Sequence, residues 1–166
     1  MVAPDGLHWI KTADADLLIV DEDSGNDYGE RKYALMINPE TLELANEGKG
    51  YFLAMAGGSE NPRAAMGISA YGGTFSRATS SEFSGTWNLT AMLTRKADGN
   101  FYSMDELAGT GEQVANESMT LADSIFLGVV QHRSESGGAV AEVKADNGGQ
   151  IFIFTLDLPT GMGAGQ

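Results

Sequence analysis

A chain of 166 residues is one domain's length, enough to bury a sizeable core, and its 42% hydrophobic content with two tryptophans places it outside the disordered class. Ten Lys and Arg against 23 Asp and Glu leave a formal charge of -13, which repels nucleic acid and anionic lipid, and no apolar run approaches the ~20 residues of a membrane-spanning helix. Cysteine is absent, which excludes disulfides and thiolate metal sites.

The first residues, Met1–Gly6, carry neither a basic n-region nor an apolar h-region, so any signal peptide is expected to be gone already or never to have existed. Leu7–Lys11, with Trp9 and Ile10, reads as a short strand, and Ala13–Asp16 as a polar connection to the apolar strand Leu17–Val20. The chain then enters Asp21–Glu30, where five carboxylates and two glycines stand without one basic side chain. Hard oxygen ligands on a glycine-permitted turn are what Ca²⁺ selects, which makes Asp21, Asp23, Asn26, Asp27 and Glu30 the candidate ligands of an irregular calcium loop. The segment is not an EF-hand, because Gly25 comes one place early and Glu30 falls short of the twelfth position. Five like charges destabilise a folded loop unless a cation or backbone N–H groups answer them; the other reading is a plain solvated loop.

Lys32–Ile37 reads as a further strand, stopped by Asn38-Pro39, and Thr41–Ala45 alternates weakly. Tyr51–Ala56 is a continuous apolar run between Gly50 and Gly57, the pattern of a strand buried on both faces. Gly57–Gly85 is glycine- and serine-rich and reads as a long loop, in which Arg63 beside Asn61 is either an anion contact or one end of a surface ion pair. In Glu82–Thr94, Thr86, Asn88 and Thr90 alternate with Trp87, Leu89 and Ala91, which predicts a strand with a polar face and a packed one.

Lys96–Asn100 contains the Asp-Gly signal of a hairpin turn. Ser103 and Glu106 have capping-box spacing, which predicts a helical turn over Met104–Leu107, and a second short helix is expected at Val114–Ser118. Ile125–Val130, Ala139–Val143 and Gln150–Leu156 are strand candidates, the last two joined by a turn at Asp146–Gly149. The expected fold is all-β, of antiparallel sheets arranged as propeller blades or as a sandwich, with one or two short helical turns. Residues 1–159 form a single domain in this reading, and 160–166 a glycine-rich tail that frays. The buried strands should be Leu17–Val20, Tyr51–Met55, Ile125–Val130 and Ile151–Phe154.

The acidic run Asp21–Glu30, the segment Glu82–Trp87, the turn Lys96–Phe101, Gly128–His132 and the closing Gly148–Phe154 together resemble the C-terminal part of secreted β-propeller phosphatases of the PhoX and phytase-like kind. The resemblance implies an exported, calcium-dependent all-β phosphoesterase scaffold with metal ions held by acidic loops. Only the acidic loop transfers residue by residue, as calcium ligands. A propeller blade takes ~40 to 45 residues and closure needs at least four, so this chain holds three or four blades at most, and no internal repeat is visible.

The two histidines, His8 and His132, are tied by no signature to a nucleophile, and zinc spacing, a P-loop and a dinucleotide fingerprint are missing, so no catalytic residue is assigned. Two classes of function remain. One is a calcium-stabilised module, secreted or on a bacterial cell surface, acting in assembly, surface attachment or glycan contact, with self-association open to it if Gln150–Leu156 forms a sheet edge. The other is a metal-dependent phosphoester hydrolase or a fragment of one, which ranks second because ten scattered basic residues do not assemble a phosphate clamp.

Overall fold

The computed structural model describes residues 4–23, 30–38, 40–56, 81–133, 143 and 147–158. Asn26, Asp27, Arg63, most of the expected 57–85 loop, the Ala139–Val143 strand apart from its last residue, and the 160–166 tail lie outside the described residues.

The described chain is all-β, as expected, with two antiparallel sheets. The first runs in the order β1 (Pro4–Lys11), β2 (Asp16–Glu22), β3 (Glu30–Ile37), β4 (Tyr51–Ala56); the second is β5 (Ser81–Asn88), β6 (Phe126–Arg133), β7 (Asn147–Phe154). Strand β5 packs against β1, β2 and β3, so both sheets share one interior. Period-two alternation sends Leu17 and Ile19 of β2, Ala34 and Met36 of β3 and Ile10 of β1 to one face, where they meet Phe126, Leu121 and Leu156. Among the described residues no helix is long and apolar enough to cross a membrane.

Two of the four strands expected to be buried are edge strands with a wet face. In β4, which ends the first sheet, Phe52 is 55% exposed; in β7, which ends the second, Ile151 and Ile153 are exposed while Phe152 and Phe154 turn inward. A continuous apolar run does not reveal whether a second layer packs on the strand's other face, and that layer decides whether the face is covered. Asn147–Gly149 are strand residues paired with Arg133, His132 and Gln131, not the turn that their composition suggested.

The Glu82–Thr94 segment departs furthest from simple alternation. A bulge interrupts β5, with Phe83 opposite Val130 and Gly85 opposite Val129, so Ser84 is the extra residue. One inserted residue reverses the facing of everything after it. Phe83 is buried, Thr86 turns toward the interior, and Trp87, expected on the packed face, stands 59% exposed. The strand then stops at Asn88, whose Oδ1 accepts from the Thr90 amide at 3.0 Å and starts helix α1 (Thr90–Leu93), burying Thr90 and Ala91. Asn116 locks this corner, its Oδ1 accepting from Ala91 N at 2.7 Å and its Nδ2 donating to Asn88 O at 3.1 Å.

The Asp-Gly turn forms as expected, with Gly99 at φ 83 and Lys96 N donating to Asn100 O, although it joins a single bridge, Arg95 to Phe101, and not two long strands. Helix α2 (Met104–Leu107) carries the expected capping box: Glu106 N donates to Ser103 Oγ, and Ser103 N donates to Glu106 Oε2 at 2.7 Å. Helix α3 (Gly111–Glu117) overlaps the second expected one.

The hydrogen bond from Lys96 and those from Ser103 hold the Glu106 carboxyl down at about 2 from an ordinary 4.5. A carboxylate with a depressed folded value stabilises the native state above its unfolded value, and that contribution is lost as pH falls through the folded one. The cap should therefore persist at pH 4.5 and open as pH approaches 2. The Ser103 amide shift in an NMR titration reports it, and a midpoint near 4.5 would rule it out.

Candidate functional site

Among the described residues, strands β1 and β5 each end a sheet, and residues of both line a common region together with α3. A polar cluster lies on the inner side of these strands, and an open cleft is lined by residues of both strands and of α3.

The cluster grows out of the same inward face that is apolar further along the sheet. Asp21 continues the row of Leu17 and Ile19, its cross-strand partner Lys32 continues that of Met36 and Ala34, and His8 continues that of Ile10. Asp21 and Lys32 are both 0% exposed. Lys32 Nζ donates to Asp21 Oδ1 and, at 2.8 Å, to Thr86 Oγ1, while the Phe83 ring centroid lies 5.0 Å from it. The bulge at Ser84 allows Phe83 and Thr86, three apart, to reach the same ammonium.

Among the described residues, the other carboxylate oxygen, Asp21 Oδ2, is buried without a hydrogen-bond partner, as is His8 Nε2, and these two atoms stand 3.5 Å apart. Glycines make the space: a Cβ on Gly6 would come within 3.0 Å of Asp21 Oδ2, and Gly85, at φ 149, backs onto the His8 ring. Burial lowers the Lys32 amine, a shift only partly opposed by the hydrogen bond and charge of Asp21.

On the opposite face, Glu22 is 1% exposed and holds Arg31 in a two-pronged pair, Nε to Oε2 and, at 2.8 Å, Nη2 to Oε1; this partner raises the Arg31 guanidinium. The sequence window Asp21–Glu30 contains no base, but the two residues that follow it are Arg31 and Lys32. The antiparallel pairing of β2 with β3 folds them back onto Glu22 and Asp21. The repulsion that pointed to a cation is answered in this way for two of the five acids.

Of the candidate calcium ligands, Asp21 and Glu30 are buried in strands, Asp23 is exposed just beyond β2, and Asn26 and Asp27 lie outside the described residues. Among the described residues, no three His, Asp or Glu side chains come together in a group able to hold a metal.

The cleft has a volume of about 650 Å³ and is lined by β1, by Thr86–Asn88 of β5 and by Glu112, Gln113, Asn116 and Glu117 of α3. Trp9 and Trp87 stand in its lining with 56% and 59% of their surface exposed. The Trp87 indole N–H donates to Glu112 Oε1 at 2.9 Å, and Gln113 Nε2 donates to Glu117 Oε1 at 2.8 Å. Lys11 brings one positive charge to the rim.

Sequence reasoning passed over both tryptophans. Trp87 was hidden by the bulge, and Trp9 alternates with His8 and Ile10 in a way that identifies the wet face only once the second sheet is known to pack on the other. The chain matches no protein-family model, no curated protein and no solved structure.

Proposed function

We propose that this chain is a non-catalytic, ligand-contact β module whose ligand is a neutral carbohydrate held in the cleft between β1, β5 and α3. The observation that carries the reading is the pair of tryptophans, each more than half exposed, in the lining of one cleft. Leaving two such rings in water forgoes much of the burial that usually drives Trp inward, and exposed apolar surface in a concavity marks binding sites. The negative face of an indole receives the weakly positive C–H bonds of a pyranose, and carboxylates and amides such as Glu112, Gln113 and Glu117 receive its hydroxyls.

The competing hydrolase reading lacks comparable support, since Arg31, Lys32, Lys49 and Lys96 are each committed to an ion pair within the chain. Titration of tryptophan fluorescence with gluco-, xylo- and N-acetylglucosamine oligomers is expected to saturate for one of these series. Trp9→Ala and Trp87→Ala should each weaken that ligand at least tenfold, about 1.4 kcal/mol. A flat titration with all three series overturns the proposal.

Calcium belongs to this reading as a stabiliser of the β2–β3 connection, where exposed Asp23 and the acids that follow it in sequence supply the charge density. Ligand that binds only the native state stabilises by roughly 2.7 kcal/mol at a hundredfold excess over Kd. A higher melting temperature in Ca²⁺ than in chelator, reduced in Asp23→Ala and Asp27→Ala, is the expected result; identical melts remove the cation from the proposal.

A further inference from the structure

We infer that Lys32 and Asp21 are poised to condense into an intramolecular amide that ties β2 covalently to β3, with His8 as the proton relay and Thr86 as the group that orients the amine. Four features of the cluster lead there, none of which ligand binding in the cleft requires. The amine and the carboxyl are in direct contact and both are 0% exposed. Strand pairing sets them directly opposite each other, so no backbone movement is needed to join them. The Phe83 ring and the Gly6 backbone lie against the pair, and the His8 ring, 29% exposed and in the lining of the cleft, gives the released water a way out. Finally, the carboxylate oxygen that Lys32 does not touch faces His8 Nε2 at 3.5 Å, and among the described residues neither atom has another partner.

The step balances without a co-reactant. Lys32 Nζ, as the free amine, adds to Cγ of the Asp21 carboxyl, and a C–N bond forms. The Cγ–Oδ2 bond breaks, and Oδ2 leaves as water with its own proton and one from Nζ passed through His8 Nε2. His8 ends in the form in which it began. The second N–H proton stays on the amide nitrogen, and Oδ1 becomes the amide carbonyl oxygen.

Burial favours the free amine that the attack needs, because desolvation lowers Lys32. The same burial favours the product, since two charges taken out of water are replaced by one neutral amide. Thr86 Oγ1, 2.8 Å from Nζ, accepts one N–H and leaves the nitrogen lone pair free to meet Cγ.

The test is the intact mass of the full-length recombinant protein, unfolded in denaturant before measurement. The expected mass is one water below that of the sequence, and a tryptic digest should contain a branched peptide joining the segments around Asp21 and Lys32, with no cleavage after Lys32. A mass equal to the sequence, in protein that has been folded for days, overturns the inference. So does a one-water deficit that survives Lys32→Arg, which would place the dehydration elsewhere, as at Asp98-Gly99. The wild-type mass and the branched peptide decide the matter even if a variant fails to fold. His8→Ala should accumulate the lighter species several-fold more slowly; an unchanged rate overturns the relay.

Discussion

Lys32→Met is expected to destabilise the protein by about 3 to 5 kcal/mol, a large part of the roughly 5–15 kcal/mol that holds a domain together. The methionine fills the space of the lysine stem but leaves the Asp21 carboxylate 0% exposed and without its cation, beside an oxygen that already lacks a hydrogen bond. A second substitution separates charge from packing. Asp21→Leu combined with Lys32→Met removes both ions and should recover the electrostatic part of the loss, since apolar replacement of a buried pair is often neutral. Urea midpoints should therefore fall in the order wild type, double variant, Lys32→Met. A Lys32→Met protein as stable as its parent would show that Lys32 does not lie buried against Asp21.

Phe126→Ala should cost ~3 to 5 kcal/mol, and Phe152→Ala distinctly less. Phe126 is 0% exposed on β6, the middle strand of its sheet, in the cluster that joins Leu17 and Ile19 of one sheet to Leu121 and Leu156 beside the other. Its ring lies 5.5 Å from that of Phe154, so truncation opens a cavity that neighbours on two sheets cannot close. Phe152 is only half buried on the edge strand β7, where it covers Gly128 and meets Phe83 at 6.0 Å. Its sequence neighbourhood is as apolar as that of Phe126, and strand position alone sets them apart. Equal losses in the two variants, measured by chemical denaturation, would contradict that assignment.

The elements that local chemistry specifies were the most legible. Leu17–Val20 lies in β2, the Asp98-Gly99 turn forms at a positive φ, and the Ser103–Glu106 spacing makes a capping box because both partners lie within one turn of each other. The tryptophan cleft was not read, since Ser84 is bulged by its pairing with β6 and the one local mark of that insertion, Gly85 inside an otherwise alternating run, does not by itself say which residue is extra. The Lys32 cluster was only half legible. The acids of Asp21–Glu30 stood out, yet their cations come from the next two positions, and a window that stopped at Glu30 counted the charge as unanswered.

The sequence by itself determined that this is an acidic, cysteine-free, all-β chain, because composition and the period-two pattern act through burial and backbone geometry that any such strand obeys. Tertiary structure decided which faces of those strands meet water. Strand order made β4 and β7 edges, with one side left open. The β5 bulge turned Trp87 out and Thr86 in, and pairing in register set a buried lysine against a buried aspartate. Each of these outcomes depends on a partner strand distant in sequence, and a side chain's desolvation and its charge partner exist only when that strand is in place.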